Sequence, residues 1–158
     1  MARQIVAAAI LVVLVAVALA YWTGAGSGAG TTTLPNPQAL TLSPGTPSTN
    51  VSPGASAAVA TVASNPNLYT VHITSISLDT AQGTGGFAVD GGHSGCVLST
   101  LGFTTQTNGG SGWTVPAKVG STNGSLSIQM TSALTMSAGA ADACQGASFT
   151  VHLAAAVS

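Results

Sequence analysis

The sequence predicts an all-β domain whose antiparallel strands form two sheets, and three observations carry that prediction. Apolar and polar residues alternate with period two through most of residues 55 to 154, the spacing of strands with one face buried. Clusters of Gly, Asn, Pro and Ser interrupt the alternation at short intervals, as turns between short strands require. The one stretch with room for a helical turn, Ser137 to Ala143, is broken by Gly139.

From the N-terminus, Arg3 supplies a short positive region, and Ile5 to Ala20 form an unbroken apolar run ending in Ala18-Leu19-Ala20. Small residues at Ala18 and Ala20 satisfy signal peptidase, so residues 1–22 read as a cleaved signal peptide. Tyr21 and Trp22 would suit a membrane interface, so a retained single-span helical anchor is the other reading. Both place the rest of the chain outside the cytoplasm, at the cell surface or released. Residues 23–38 read as a flexible Gly/Ser/Thr/Pro linker, and residues 39–158 as the folded domain.

Within that domain, Pro44, Pro47 and Pro53 leave room for only a short strand at Ala39 to Leu42. Ala57 to Ala63 is a strand containing Val59 and Val62, and Asn65-Pro66-Asn67 makes a turn. Tyr69, Val71 and Ile73 then alternate with Thr70, His72 and Thr74 until the phase flips after Ser75, where Ile76 and Leu78 take the apolar positions; a β-bulge accounts for the flip. Phe87 to Val89, Val97 to Phe103 and Trp113 to Val119 are further strands, the last limited by Pro116 to an edge or bulge. Leu126, Ile128 and Met130 define the clearest one. The last strand points Phe149, Val151 and Leu153 inward and Thr150 and His152 outward. Seven to nine short strands predict an immunoglobulin-like β-sandwich, with a jelly roll as the alternative. Cys96 and Cys144, an even count in an exported segment, predict one disulfide.

Charge excludes most chemistry. Among 158 residues only Arg3, Asp79, Asp90, Lys118 and Asp142 are charged, and Glu is absent. Following a nucleic acid backbone, gripping phosphate or moving protons needs clustered ionisable groups, so an enzyme and a nucleic acid partner are not expected. The nearly neutral surface offers little repulsion between copies, which makes self-association easy.

Each polar cluster also has a simpler explanation. His72 and His152 could share a metal only if their strands were neighbours, and no third ligand accompanies them, so no metal or cofactor is expected. Asp90, His93 and Ser94 are the residue types of a hydrolase triad crowded into five positions, which reads as a polar turn beside the disulfide. Asp79-Thr80-Ala81-Gln82-Gly83 has one carboxylate where calcium needs several, and Gly83-Thr84-Gly85-Gly86 lacks the Lys and helix of a phosphate loop. Asn50-Val51-Ser52 and Asn123-Gly124-Ser125 match glycosylation sequons that arise readily by chance. Trp113, with Tyr69, is the candidate glycan contact; the competing reading makes Trp113 a core or rim residue.

The leader end Ala18-Leu19-Ala20-Tyr21-Trp22-Thr23-Gly24 resembles the cleavage region of TasA/camelysin-type matrix fibre proteins. The body, with Leu42-Ser43-Pro44-Gly45, Ser64-Asn65-Pro66-Asn67, Gly85-Gly86-Phe87 and Ala143-Cys144-Gln145-Gly146-Ala147-Ser148-Phe149-Thr150, is similar to small exported β-sandwich proteins of high-GC Gram-positive bacteria. The first resemblance implies a fibre or surface-matrix subunit whose N-terminal segment adds as a strand to the next copy. Residues 23–33 are too Gly-rich for that role, which leaves Leu34 to Leu42 as the expected donor. The expected function is therefore a non-catalytic structural or adhesive protein, with a cell-wall or glycan-binding module as the alternative. Expected partners are copies of itself, other surface proteins or polysaccharide, with membrane contact only through the N-terminal segment.

Overall fold

The computed structural model describes residues 37–158, and over that range the chain is all-β with antiparallel pairing throughout. The signal or anchor reading, Ala18 and Ala20, and the linker up to residue 36 lie outside the described residues. Ten strands form, more than the seven to nine expected, because two-residue and three-residue pieces pair independently. They are β1 (Thr41–Leu42), β2 (Thr46–Pro47), β3 (Ser56–Asn65), β4 (Val71–Leu78), β5 (Phe87–Val89), β6 (Leu101–Phe103), β7 (Trp113–Val115), β8 (Gly124–Met136), β9 (Phe149–Val151) and β10 (Leu153–Val157).

A five-stranded sheet is built on the β3–β8 ladder, with β1 and β2 on the outer side of β3 and β6 on the outer side of β8. A second sheet has the order β10-β4-β7, and β5 pairs with β9 in a separate two-stranded ribbon. Strand β3 shows why the ladder forms: Ala57, Val59, Thr61, Ala63 and Asn65 are buried, while the residues between them are more exposed. On the other strands Ile73, Ile76, Val115, Met130, Leu134 and Val151 are almost fully buried, and all belong to one apolar core shared by the three sheets. Each such side chain contributes roughly 1.5–3 kcal/mol of hydrophobic burial.

The phase flip in β4 is a bulge. Ala156 pairs with Ser75 and Val157 with Ile73, so Thr74 is the extra residue that lets Ile73 and Ile76 both face the core. Strand β8 continues beyond Met130 because Ser132 takes φ 52°, a kink after which Leu134 and Met136 return to the buried face.

Three expected strands are corrected. Only Leu101–Phe103 of the Val97 to Phe103 stretch is extended; Leu98–Thr100 is a short 3-10 turn in which the Thr100 hydroxyl donates to the Val97 carbonyl at 2.7 Å. A Thr side chain closing its own turn competes with ladder formation. The single last strand is two, β9 and β10, which change partners at His152. Trp113 to Val119 is likewise shorter, extended only to Val115 before Pro116.

Gly124 is one of the glycines on which a loop depends. A Cβ there would collide with the Pro116 carbonyl, so its absence lets the 116–123 hairpin close against the start of β8.

Candidate functional site

The disulfide corner holds one of the clusters expected from sequence, Asp90, His93 and Ser94. Cys96 and Cys144 are bonded, with Cα atoms 4.6 Å apart, and both are buried. They lie in loops, Cys96 just before the Leu98–Thr100 turn and Cys144 at the end of the Asp142–Cys144 turn. The bond is compatible with an oxidising, extracellular location.

Asp90 organises the loop before Cys96. Its carboxylate accepts from the Ser148 backbone N–H at 2.6 Å and the Gly92 N–H at 3.0 Å, and it meets His93 Nδ1 at 2.8 and 3.0 Å. An ionised carboxylate only accepts, so Nδ1 carries the proton. The Ser148 hydrogen bond first, then that of His93, hold the Asp90 carboxyl below the usual carboxylate range. The Asp–His half of a triad is thus present, a closer association than a generic polar turn. Among the described hydrogen bonds no hydroxyl joins His93, whose Nε2 lies beside Gly146. The arrangement ties the 90–96 loop to the start of β9, and it lacks the nucleophile–base contact that acyl transfer uses.

Because the folded carboxyl is the stronger acid, its contribution to stability is present above the ordinary Asp value. It is lost as the pH falls through the lowered folded value. Asp90→Asn is expected to lower the urea midpoint at neutral pH, and that gap should close below about pH 4. Parallel unfolding curves that keep the same separation down to the acid limit would assign the effect to something other than this carboxylate.

The structure does not bring the two outward histidines together. His72 follows the first residue of β4, where Nε2 lies 3.1 Å from the Ser111 carbonyl, whereas the His152 carbonyl accepts from the Asp79 N–H beyond the other end of that strand. At the usual strand rise the separation is roughly 20 Å. Among the described residues no group of three or more His, Cys, Asp or Glu could hold a metal. The Asp79 carboxylate accepts from the Ala81 N–H and the Gln82 side chain, closing its own turn.

Trp113 is half-buried, packed on the core and paired with Ile73; Tyr69 is 46 % exposed and lies four positions from Ile73 along the chain. That offset is roughly 13 Å along the backbone at strand spacing. An open groove of about 500 Å³ crosses β3 and β8, lined by Ser43, Thr46, Thr61, Ser127 and Gln129 with apolar neighbours and no ionisable group.

Two features were not singled out from sequence. One is a pair of buried amides at the turn after β3. Asn65 donates to the Tyr69 and Pro116 carbonyls at 2.8 and 2.9 Å and accepts from the Asn67 backbone and side chain, while Asn67 holds both the N–H and the C=O of Gln38. Asn65 continues the inward phase of Val59 and Ala63, the one sequence signal that could have found it. The other is β10, Leu-Ala-Ala-Ala-Val, which among the described residues forms a ladder only with β4, with β1 close to it but not paired.

No family model, curated protein or solved structure matches this chain.

Proposed function

We propose that this chain is a non-catalytic, exported structural protein whose domain is an immunoglobulin-like β-sandwich that assembles with copies of itself in a fibre or surface matrix. The sandwich reading is supported by antiparallel sheets that share one core and by their short connections. The observation that carries the assembly reading is the outer edge of β10. It has five residues without charge or proline, and Ala154, Ala156 and Val157 are exposed. Natural edge strands are usually blunted by charges, prolines or bulges, and the one irregularity here, the bulge opposite Val157, leaves Leu153 to Ala156 in regular register.

The expected donor needs revising. Thr41 and Leu42 pair with Ser64 and Ala63 of the same chain, and Gln38 is clasped by Asn67, so residues 38–42 of the Leu34 to Leu42 segment are already engaged within the domain. Assembly is therefore assigned to β10, by edge-to-edge pairing.

The purified full chain is expected to form concentration-dependent oligomers in sedimentation velocity. Ala154→Lys with Ala156→Lys should make it monomeric while moving the unfolding midpoint little, since surface changes usually stay within about 0.5 kcal/mol. A wild-type chain that stays monomeric at every concentration and salt level would end the proposal.

A further inference from the structure

The end of the domain at which the chain enters carries an apolar tip. Leu68 is 67 % exposed, Tyr69 46 % and Val119 79 %, all on two loops at the Asn65–Gly124 end of the β3–β8 ladder. The loops are stitched together by the Lys118 N–H donating to the Asn67 carbonyl at 2.7 Å and by Asn65 holding both the Tyr69 and Pro116 carbonyls. Val119 sits at the end of a tight hairpin, with reciprocal backbone bonds to Thr122 around Gly120 and Ser121. Three large apolar groups are thus held outward by a buried amide clasp.

Charge separates in the same direction. Lys118, the only Lys or Arg beyond Arg3, lies in this tip. Asp79 follows the far end of β4, and Asp90 and Asp142 belong to the disulfide corner. That corner is joined to the other end of the ladder: Met136 accepts from the Gly54 N–H, and Ser137 donates to Thr100 of the turn after Cys96. The ladder's ten β3 residues put roughly 30 Å between the two ends.

Gln38, among the first described residues, is clasped to Asn67 in this same tip, so the described domain begins at the tip. Even fully extended, the chain from Trp22 to Gln38 could reach at most about 58 Å.

We infer that, where the N-terminal apolar segment is retained as a membrane anchor, the Leu68–Tyr69–Val119 tip, with Lys118, is a docking surface for the anionic phospholipid surface that holds the anchor. Leu68 and Val119 enter the headgroup boundary, the Tyr69 ring takes the interfacial position that amphipathic rings favour, and the Lys118 ammonium meets lipid phosphate. One lysine attracts weakly, so contact depends on the tether keeping the tip at high local concentration near the surface. The far end, with all three aspartates, then faces away from the like-charged membrane. This surface is distinct from the β10 edge, so the two assignments stand or fall separately.

The test reconstitutes the full chain in vesicles of phosphatidylcholine with and without phosphatidylglycerol. An environment-sensitive fluorophore is placed at Ser121→Cys, with Thr80→Cys as the control at the far end, leaving the buried native disulfide intact. In anionic vesicles the Ser121 probe is expected to be quenched several-fold more by spin-labelled lipid than the Thr80 probe. Leu68→Ser with Val119→Ser should abolish the difference, and Lys118→Glu should reduce it in anionic vesicles only. Equal quenching at both positions overturns the inference. So does a chain that fails to sediment with vesicles, or a Ser121 probe shielded only when two copies share a vesicle, which would make the tip a contact between copies.

Discussion

Replacing Cys96 and Cys144 together by alanine is expected to lower the free energy of unfolding by about 4 kcal/mol, the chain-entropy value for a loop of this length. The bond closes 48 residues of sequence, from the end of the Asp90 loop to the turn before β9, and that span includes β6, β7 and the whole of β8. Single domains are stable by only about 5–15 kcal/mol, so this one link supplies a large share. Besides core packing, the corner is held by the Asp90 hydrogen bonds to Ser148 and His93 and by one short ladder. β5 and β9 form a ribbon of three residue pairs, and two-stranded ribbons are marginal unless packed against more structure. Both sulfurs are also buried, so alanine leaves small voids as well as a longer open loop. Urea unfolding of the oxidised, reduced and doubly substituted proteins measures the effect. Amide exchange over Phe149–Val151 should accelerate before that of the β3–β8 ladder. A loss below about 1 kcal/mol would mean that the unfolded chain is already constrained without the bond, contrary to the chain-entropy account.

Where local pattern determined the outcome, the fold could be read directly. Ala57 to Ala63 was readable as a strand, although its buried phase runs through Val59, Thr61 and Ala63 and leaves Val62 exposed, and the three-residue step from Ile73 to Ile76 required an extra residue, found at Thr74. What escaped was decided by non-local pairing. Phe149, Val151 and Leu153 keep one phase in sequence, yet the first two face β5 and the third faces Leu78 of β4, because the chain changes ladders at His152. Nothing in a period of two records a change of partner.

The later part of β8 was obscured for a different reason. Thr131, Ser132 and Ala133 break the alternation, and only the positive φ of Ser132 lets Leu134 rejoin the core opposite Ala57. At the disulfide corner, the residue types of Asp90 and His93 were visible, but their contact depends on Ser148 anchoring the carboxylate from 58 residues away. The tip follows the same rule: Leu68 and Val119 are unremarkable as isolated apolar residues and become a patch only when Asn67 joins their loops.

That dependence makes Asn65→Ala the second large effect, expected to cost about 3–4 kcal/mol, because removing one partner leaves buried groups unpaired at about 1–3 kcal/mol each. Four bonds disappear: those to the Tyr69 and Pro116 carbonyls, and those received from the backbone and side chain of Asn67. Asn65 is fully buried at the end of β3, so water cannot replace them without opening the tip. Asn65→Asp separates hydrogen bonding from shape. It retains the acceptor for Asn67 but has no donor for the two carbonyls, and it places a buried negative charge against their oxygens. Asp, the closest residue in form, should therefore be no better than Ala. Thermal or urea midpoints of the three proteins measure the loss, and amide exchange should show it concentrated at Asn67 to Thr70 and Lys118 to Asn123, with the Cys96–Cys144 corner retaining its protection. If Asn65→Asp stays within about 1 kcal/mol of wild type, the amide donors hold nothing together, and the loops that present Leu68, Tyr69 and Val119 owe their positions to packing alone.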